Sequence, residues 1–348
     1  LTLSIHFLAF EVDLYTFASM ILLTGGTGLV GAHLLLRLIE NGEKVRATYR
    51  NKKGITKTKN LFSYYKKEAL FNNIEWKQAD ITKITQLEEA FIGIEYVYHC
   101  AGLISFQPSD ENLLRKTNIE GTANIVNFCL AHNIKKLCYV SSVAALGDLA
   151  EHEHIVTEEI EWNPEKPHSD YAISKYGAEM EIWRGQQEGL KSVIINPGII
   201  LGPGFNDQGS GLLYQRVAHG MHFYTTGITG FIAVPDVVKI AIQLMKSPII
   251  NQRYTLVSQN SSYQEVLNSM SDALGVKRPS IHAKKWLLEI AWKIDKLSSF
   301  LFRSKRKMTK YMARASYTDR IFSNEKIKAD LKISFIDIHQ YLKEIAKV

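Results

Sequence analysis

The run Thr24-Gly-Gly-Thr-Gly-Leu-Val-Gly31 constrains this chain more than any other stretch. It follows a short apolar segment, Met20-Ile-Leu-Leu23, and opens a stretch of helical periodicity from Leu29 to Leu38. Strand, glycine turn and helix in that order make a cradle for a pyrophosphate. Gly25 and Gly28 allow a tight turn and close approach of the backbone to the anion. Gly31 lets helix and strand pack closely, and the helix start offers free N–H groups. Contacts to a dinucleotide are expected from Gly25, Thr27, Gly28, Leu29, Val30 and Gly31.

The next strand, Lys44-Val-Arg-Ala-Thr-Tyr49, ends at Arg50, about 20 residues past the turn. A free ribose 2′-OH calls for Asp or Glu there, whereas a 2′-phosphate calls for a cation. Residues 50–67 carry Arg50 and six lysines with no acid. Arg50 is read as the 2′-phosphate partner, with Lys57 the second candidate and the other lysines a solvated loop. NADP(H) is therefore favoured, with NAD(H) still open.

Strands and helices then alternate, as in a parallel sheet. Ile74–Ala79 reads as the third strand, ending at Asp80-Ile81, and Tyr96–His99 as the fourth, running into Cys100-Ala-Gly102. A helix is expected from Glu111 to His132, carrying Asn118, before a fifth strand, Leu137–Val140, ending at Ser141-Ser142. The strand ends meet polar or small residues, where open α/β sheets bind ligands. The fold class is α/β, a doubly wound parallel sheet over residues 20–200. A smaller C-terminal substrate lobe is expected over 201–348, with returns to the core around 230–257. The 348 residues are 46% apolar, ample for a large core. Three cysteines without C-x-x-C spacing point to reduced thiols and a cytoplasmic location. Residues 1–19 hold Glu11 and Asp13 and no Lys or Arg. They lack the basic start of a signal peptide and are too short and charged to span a bilayer. They are expected to come from an upstream start assignment and to contribute nothing to function.

Tyr171-Ala-Ile-Ser-Lys175 places a phenol and an ammonium one helical turn apart on one face. A free tyrosine titrates near 10, and a neighbouring cation favours its phenolate. Tyr171 can then be general acid when a carbonyl is reduced, or general base when an alcohol is oxidised. Ser142, at a strand end, can hold the substrate oxygen, and Asn118 can serve helix geometry or a proton relay. Glu151-His-Glu-His154 reads as a solvated loop, because its histidines are two apart with no matching partner motif, so no metal site is expected. His168 reads equally as a site wall or a surface residue.

Together these residues resemble the extended short-chain dehydrogenase/reductases, a Rossmann-like family within the NAD-dependent epimerases and dehydratases. The resemblance spans roughly Met20 to Val257. It rests on the glycine run, Asp80-Ile81, His99-Cys-Ala-Gly102, Asn118-Ile-Glu-Gly-Thr122, Ser141-Ser142, Tyr171-x-x-x-Lys175 and Asn196-Pro-Gly-Ile-Ile-Leu-Gly-Pro203. It implies that Asp80 and Ile81 hold the adenine, that Ala101 and Gly102 pass beneath the ribose, and that Lys175 and Pro197 also contact the cofactor. It favours Ser142 over Ser141, since the family's serine lies five residues before a glycine, here Gly147. Val45-Arg-Ala-Thr-Tyr-Arg50 further resembles the dihydroflavonol reductase-like subgroup, which uses NADPH. Val143 and Ala144 stand where sugar-nucleotide dehydratases carry an acidic pair, which argues against dehydration.

The expected activity is NADPH-dependent reduction of an aldehyde or ketone. Leu103–Phe106, Ile199–Gly202, Phe205, Leu212–Tyr214 and Met221–Tyr224 are expected to surround the substrate, and their apolar character points to a lipophilic or aromatic one. An NAD-dependent sugar-nucleotide epimerase is the alternative, although this half offers only Arg216 before Arg253 to meet a diphosphate. A redox-inactive NADP(H)-sensing interaction protein is a third reading. Residues 284–310 hold nine Lys or Arg against two acids, with apolar residues at helical spacing. They read as a peripheral membrane contact, a lid or a packed helix with a basic end. No motif for reading nucleic acid accompanies them. A homodimer is compatible with the sequence.

Overall fold

The computed structural model describes residues 19–207 and 209–346. The expectation for the N-terminal extension falls, for residues 1–18, outside them. Among the described residues, the two larger sheets take ten strands: β1 (Met20–Thr24), β2 (Lys44–Tyr49), β3 (Ile74–Gln78), β4 (Ile94–His99), β5 (Lys136–Val140), β6 (Ser192–Pro197), β7 (Ile199–Leu201), β8 (Ile228–Ala233), β9 (Gln252–Leu256) and β10 (Gln259–Ser262). Seven of them form one sheet in the order β9-β6-β5-β4-β1-β2-β3, with every neighbouring pair parallel. The order runs outward from β1 to β3 and then reverses from β4 to β9. A crevice therefore opens between β1 and β4 at the carboxyl ends of the strands, where doubly wound sheets bind ligands.

The central strands β1, β4, β5 and β6 are largely apolar on both faces, as buried parallel strands must be. Alternate residues of β1 diverge: Ile21 and Leu23 join one core, and Leu22 the other. The first core is closed by α1 (Leu29–Glu40) and the helix Val234–Lys246, through Leu34, Leu35, Leu38, Val237, Ala241 and Leu244. α2 (Lys52–Tyr64) adds Phe62 to that face. The second core is closed by α3 (Ile84–Phe91), α4 (Gly121–Ala131) and α5 (Asp170–Gln187). The helix expected from Glu111 to His132 ends at Ala131, and a π turn at Arg115–Glu120 interrupts it. That wider turn holds the buried Thr117 and Asn118.

A second, small sheet has the order β10-β8-β7. Helices Gly211–Ala218, Tyr263–Leu274 and Ile338–Ile345 pack over it around Phe231, Val266, Met270 and Leu342. Its Ile199–Leu201 strand directly follows β6, so the small lobe hangs from the carboxyl edge of the main sheet. The C-terminal segment also returns to the first core, through Ile327, Leu331, Ile333 and Phe335.

Candidate active site

β1 ends at Thr24, and the chain turns through Gly25 at φ 76°. A Cβ on Gly25 would stand 2.6 Å from Ala101 N, and one on Gly31 would stand 2.1 Å from Gly25 O. Both positions exclude a side chain, so loop, β4 end and helix pack backbone to backbone. Gly28 N donates to Gly25 O at 3.0 Å, and Gly28 caps α1 with no side-chain hydrogen bond and no acid in the first turn. The first N–H groups of α1, at Leu29 and Val30, are thus left for an anion, and the residues present fit a dinucleotide's pyrophosphate. Thr58 Oγ1 donates to Gly26 O at 2.9 Å and Gly54 packs on Thr27, which ties α2 to the loop.

Arg50 is exposed at the end of β2. Lys57 instead pairs with the Asp207 carboxylate. Asp80 Oδ1 accepts from Thr82 N and Oγ1 at 2.9 and 2.8 Å, which shapes the turn after β3. Ile81 is buried under α4, where a Cβ on Gly121 would meet it at 2.6 Å. Across the crevice, Thr24 Oγ1 and His99 Nδ1 are 2.7 Å apart, and His99 Nε2 lies 3.0 Å from Thr122 Oγ1. Burial holds His99 down at about 3, so the imidazole stays neutral and structural. Ala101 and Gly102 follow it beside the loop, and Pro197 is buried at the end of β6.

Ser169 caps α5 by accepting from Ala172 N at 3.1 Å, which starts the helix just ahead of Tyr171 and Lys175. Burial pushes Tyr171 up to about 12, and the adjoining Ser142 hydroxyl only partly pulls it back. Burial therefore outweighs the expected pull of Lys175 on the phenol. Lys175 is desolvated too. Its Nζ donates to Val140 O at 2.9 Å, lies 4.6 Å from the Tyr139 ring centre, and is lowered by burial to about 8. Gly102 stands at the same spot, since a Cβ there would lie 3.8 Å from Lys175 Nζ.

The two serines after β5 part company. Ser141 is buried and donates to Glu179 Oε1, whereas Ser142 adjoins the phenol and its carbonyl accepts from Asn196 Nδ2 at 2.9 Å. Asn118 Oδ1 accepts from Leu103 N at 2.7 Å, and its Nδ2 donates to Leu103 O and to Ser174 Oγ at 3.0 and 2.9 Å. It pins the loop after β4 to α5.

Two groups escaped the sequence reading. Glu179 lies one turn past Lys175, fully buried, and accepts from Ser141, Asn196 and Arg253. Its spacing after Lys175 was a visible signal. Tyr311 stacks on Phe106 with ring centres 5.9 Å apart, and Phe106 meets Tyr171 edge-on at 5.7 Å. Nothing local in the sequence joins these two aromatics. His168, by contrast, stacks on Trp162 at 3.8 Å, contacts Asn163 O and lies 3.3 Å from Asp148 Oδ2. Phe205 packs with Ala32 and Leu61 under α1 and α2, and Leu213, Tyr214, Met221 and Tyr224 pack on the small lobe's core. Of the expected substrate segments, Leu103–Phe106 meets Tyr171, through Phe106. Among the described residues, no group of three His, Cys, Asp or Glu side chains is placed to hold a metal ion.

The family profile of the NAD dependent epimerase/dehydratases matches residues 21–254. A putative dihydroflavonol 4-reductase of Synechocystis is 31% identical over 294 residues, covering 82% of this chain and 82% of that protein. Sterol demethylase protein B of Methylococcus capsulatus is 27% identical over 265 residues, covering 75% and 76%. The crystal structure of a UDP-glucose 4-epimerase from Thermotoga maritima shares the fold at a TM-score of 0.75, over 94% of this chain and 97% of that one, at 20% identity. With the phosphate cradle, the switch-point crevice and the Tyr171–Lys175 helix in place, this chain belongs to the NAD-dependent epimerase/dehydratase family and is an NAD(P)-dependent oxidoreductase.

Proposed function

We propose that the protein reduces a lipophilic or aromatic aldehyde or ketone to its alcohol, with NADPH as the donor. The observation that carries this reading is Tyr171 beside Ser142 and Phe106, with Lys175 one helical turn on and Tyr311 stacked behind Phe106. When bound, the nicotinamide supplies a hydride. Tyr171 gives the proton to the carbonyl oxygen, and a Tyr pushed up to about 12 is fully protonated at neutral pH. The Ser142 hydroxyl donates to the same oxygen as charge develops there. The Lys175 ammonium, fixed by Val140 O, stabilises the phenolate left behind. Asn118 and Glu179 position this set without touching the reacting atoms. The names of the reductase-type relatives support a reductase over the epimerase alternative. So does Arg253, one of the two cations considered for a sugar diphosphate: it is turned toward Glu179 and Glu158 O.

The exposed Arg50 supports NADPH over NADH. Arg50→Ala should weaken NADPH binding by roughly tenfold or more, the size of a lost charge-assisted contact, and leave NADH nearly unchanged. Fluorescence titration with both nucleotides measures this, and equal losses would remove the basis for the preference.

A further inference from the structure

The helix Lys285–Phe302 touches the rest of the chain by a narrow face, with Leu288 its one buried residue. On the opposite face Trp286, Ile290, Ile294, Leu297 and Leu301 recur every three to four residues and are 47–64% exposed. Phe300 and Phe302, at the C-terminal end, are 80% and 77% exposed. A water-facing helix ordinarily puts polar residues there. The charges are sorted as well. Both acids turn toward the protein: Glu289 accepts from Trp292 Nε1 and Tyr317 OH at 2.8 and 2.9 Å, and Asp295 accepts from Arg306 Nε at 2.8 Å. Lys285, Lys293, Lys296, Arg303, Lys305 and Lys307 remain exposed, and among the described residues no carboxylate pairs with them. Among the described residues no helix is long and apolar enough to cross a membrane.

An apolar stripe fringed by free cations, with its acids withdrawn, is complementary to a surface that is anionic at its boundary and apolar beneath. We propose that the helix Lys285–Phe302 lies in the interface of an anionic phospholipid bilayer, its Trp286–Leu301 stripe in the acyl boundary and its lysines at headgroup phosphates. The segment that follows this helix borders the site, because Arg306 N donates to Gln107 Oε1 at 2.9 Å and Tyr311 stacks on Phe106. A membrane-dissolved substrate would then reach Tyr171 without crossing water; that corollary rests on the reductase reading, whereas the membrane contact does not.

Co-sedimentation of the full chain with phosphatidylcholine vesicles, with and without phosphatidylglycerol, tests this at low and high salt. The protein should pellet with the anionic vesicles, bind neutral ones at least about tenfold more weakly, and be released by salt. Ile294→Ser with Leu297→Ser, and separately Lys293→Glu with Lys296→Glu, should each lower binding roughly tenfold or more at an unchanged melting temperature. The charge-reversed variant keeps the test decisive if the apolar one does not fold. No pelleting with anionic vesicles at low salt would overturn the proposal. So would a solution dimer, seen by sedimentation velocity, that Lys293→Glu with Lys296→Glu or Ile294→Ser with Leu297→Ser dissociates, since the stripe would then belong to a second copy.

Discussion

Tyr171 and Lys175 are displaced from their ordinary titration ranges in opposite directions by the same cause. Burial disfavours charge, so the phenol rises to about 12 and the ammonium falls to about 8. The pH dependence of reduction should therefore be set by the lysine. Above pH 8 the Lys175 ammonium is lost while Tyr171 still holds its proton, so kcat/KM should fall about tenfold per pH unit. Lys175→Arg keeps its charge to far higher pH, and its falling limb should move up by at least about a unit in a pH–rate profile. An unmoved limb would assign the titration to another group. Tyr171→Phe should cut turnover by about a hundredfold or more while nucleotide affinity changes little; steady-state rates and a binding titration separate the two. Near-normal turnover would exclude Tyr171 as the acid.

The glycine loop and α1 work as one element, because neither Gly25 nor Gly31 leaves room for a methyl group. Gly31→Ala should destabilise the protein by about 1–3 kcal/mol, as overpacking does, and weaken nucleotide binding in the same variant. Thermal unfolding and nucleotide titration check this, and full affinity would mean that the loop relaxes freely. This element was legible because strand, turn and helix lie within a few residues of one another. Tyr171 and Lys175 were legible for the same reason, with Ser169 supplying the cap that begins their helix. Lys175's direction was not legible, since its approach to Val140 O depends on how tightly α5 closes over β5. Nor was Tyr311 on Phe106, a contact made by docking of the C-terminal segment against the loop after β4. Phe205 reads as a pocket residue from its apolar surroundings, yet α1 and α2 cover it. Apolar sequence alone does not tell a ligand wall from a core.

Across the whole molecule, the two cores and the crevice between them contain buried histidines that resist protonation. Burial holds His33 at about 4 and His99 at about 3, below the ordinary 6.5. Between pH 6.5 and 4 the unfolded chain binds protons that the native state does not, so these groups' contribution to stability is full above 6.5 and is lost as pH falls. Each contributes up to about 1.4 kcal/mol per pH unit, and the urea midpoint at pH 5 should lie clearly below that at pH 7. Equal midpoints would mean that neither histidine is buried neutral. The proposed function rests on hydride passing to a carbonyl substrate from an exchangeable NADPH. Mass spectrometry of the alcohol formed from a panel of lipophilic and aromatic aldehydes and ketones, using NADPH deuterated at the transferring C4 position, reads that transfer. One deuterium on the carbinol carbon per turnover is expected in wild type, with about a hundredfold or more less labelled alcohol from Tyr171→Phe. Alcohol-free incubations, together with NAD that stays bound and unexchanged, would contradict it and assign the site to epimerisation.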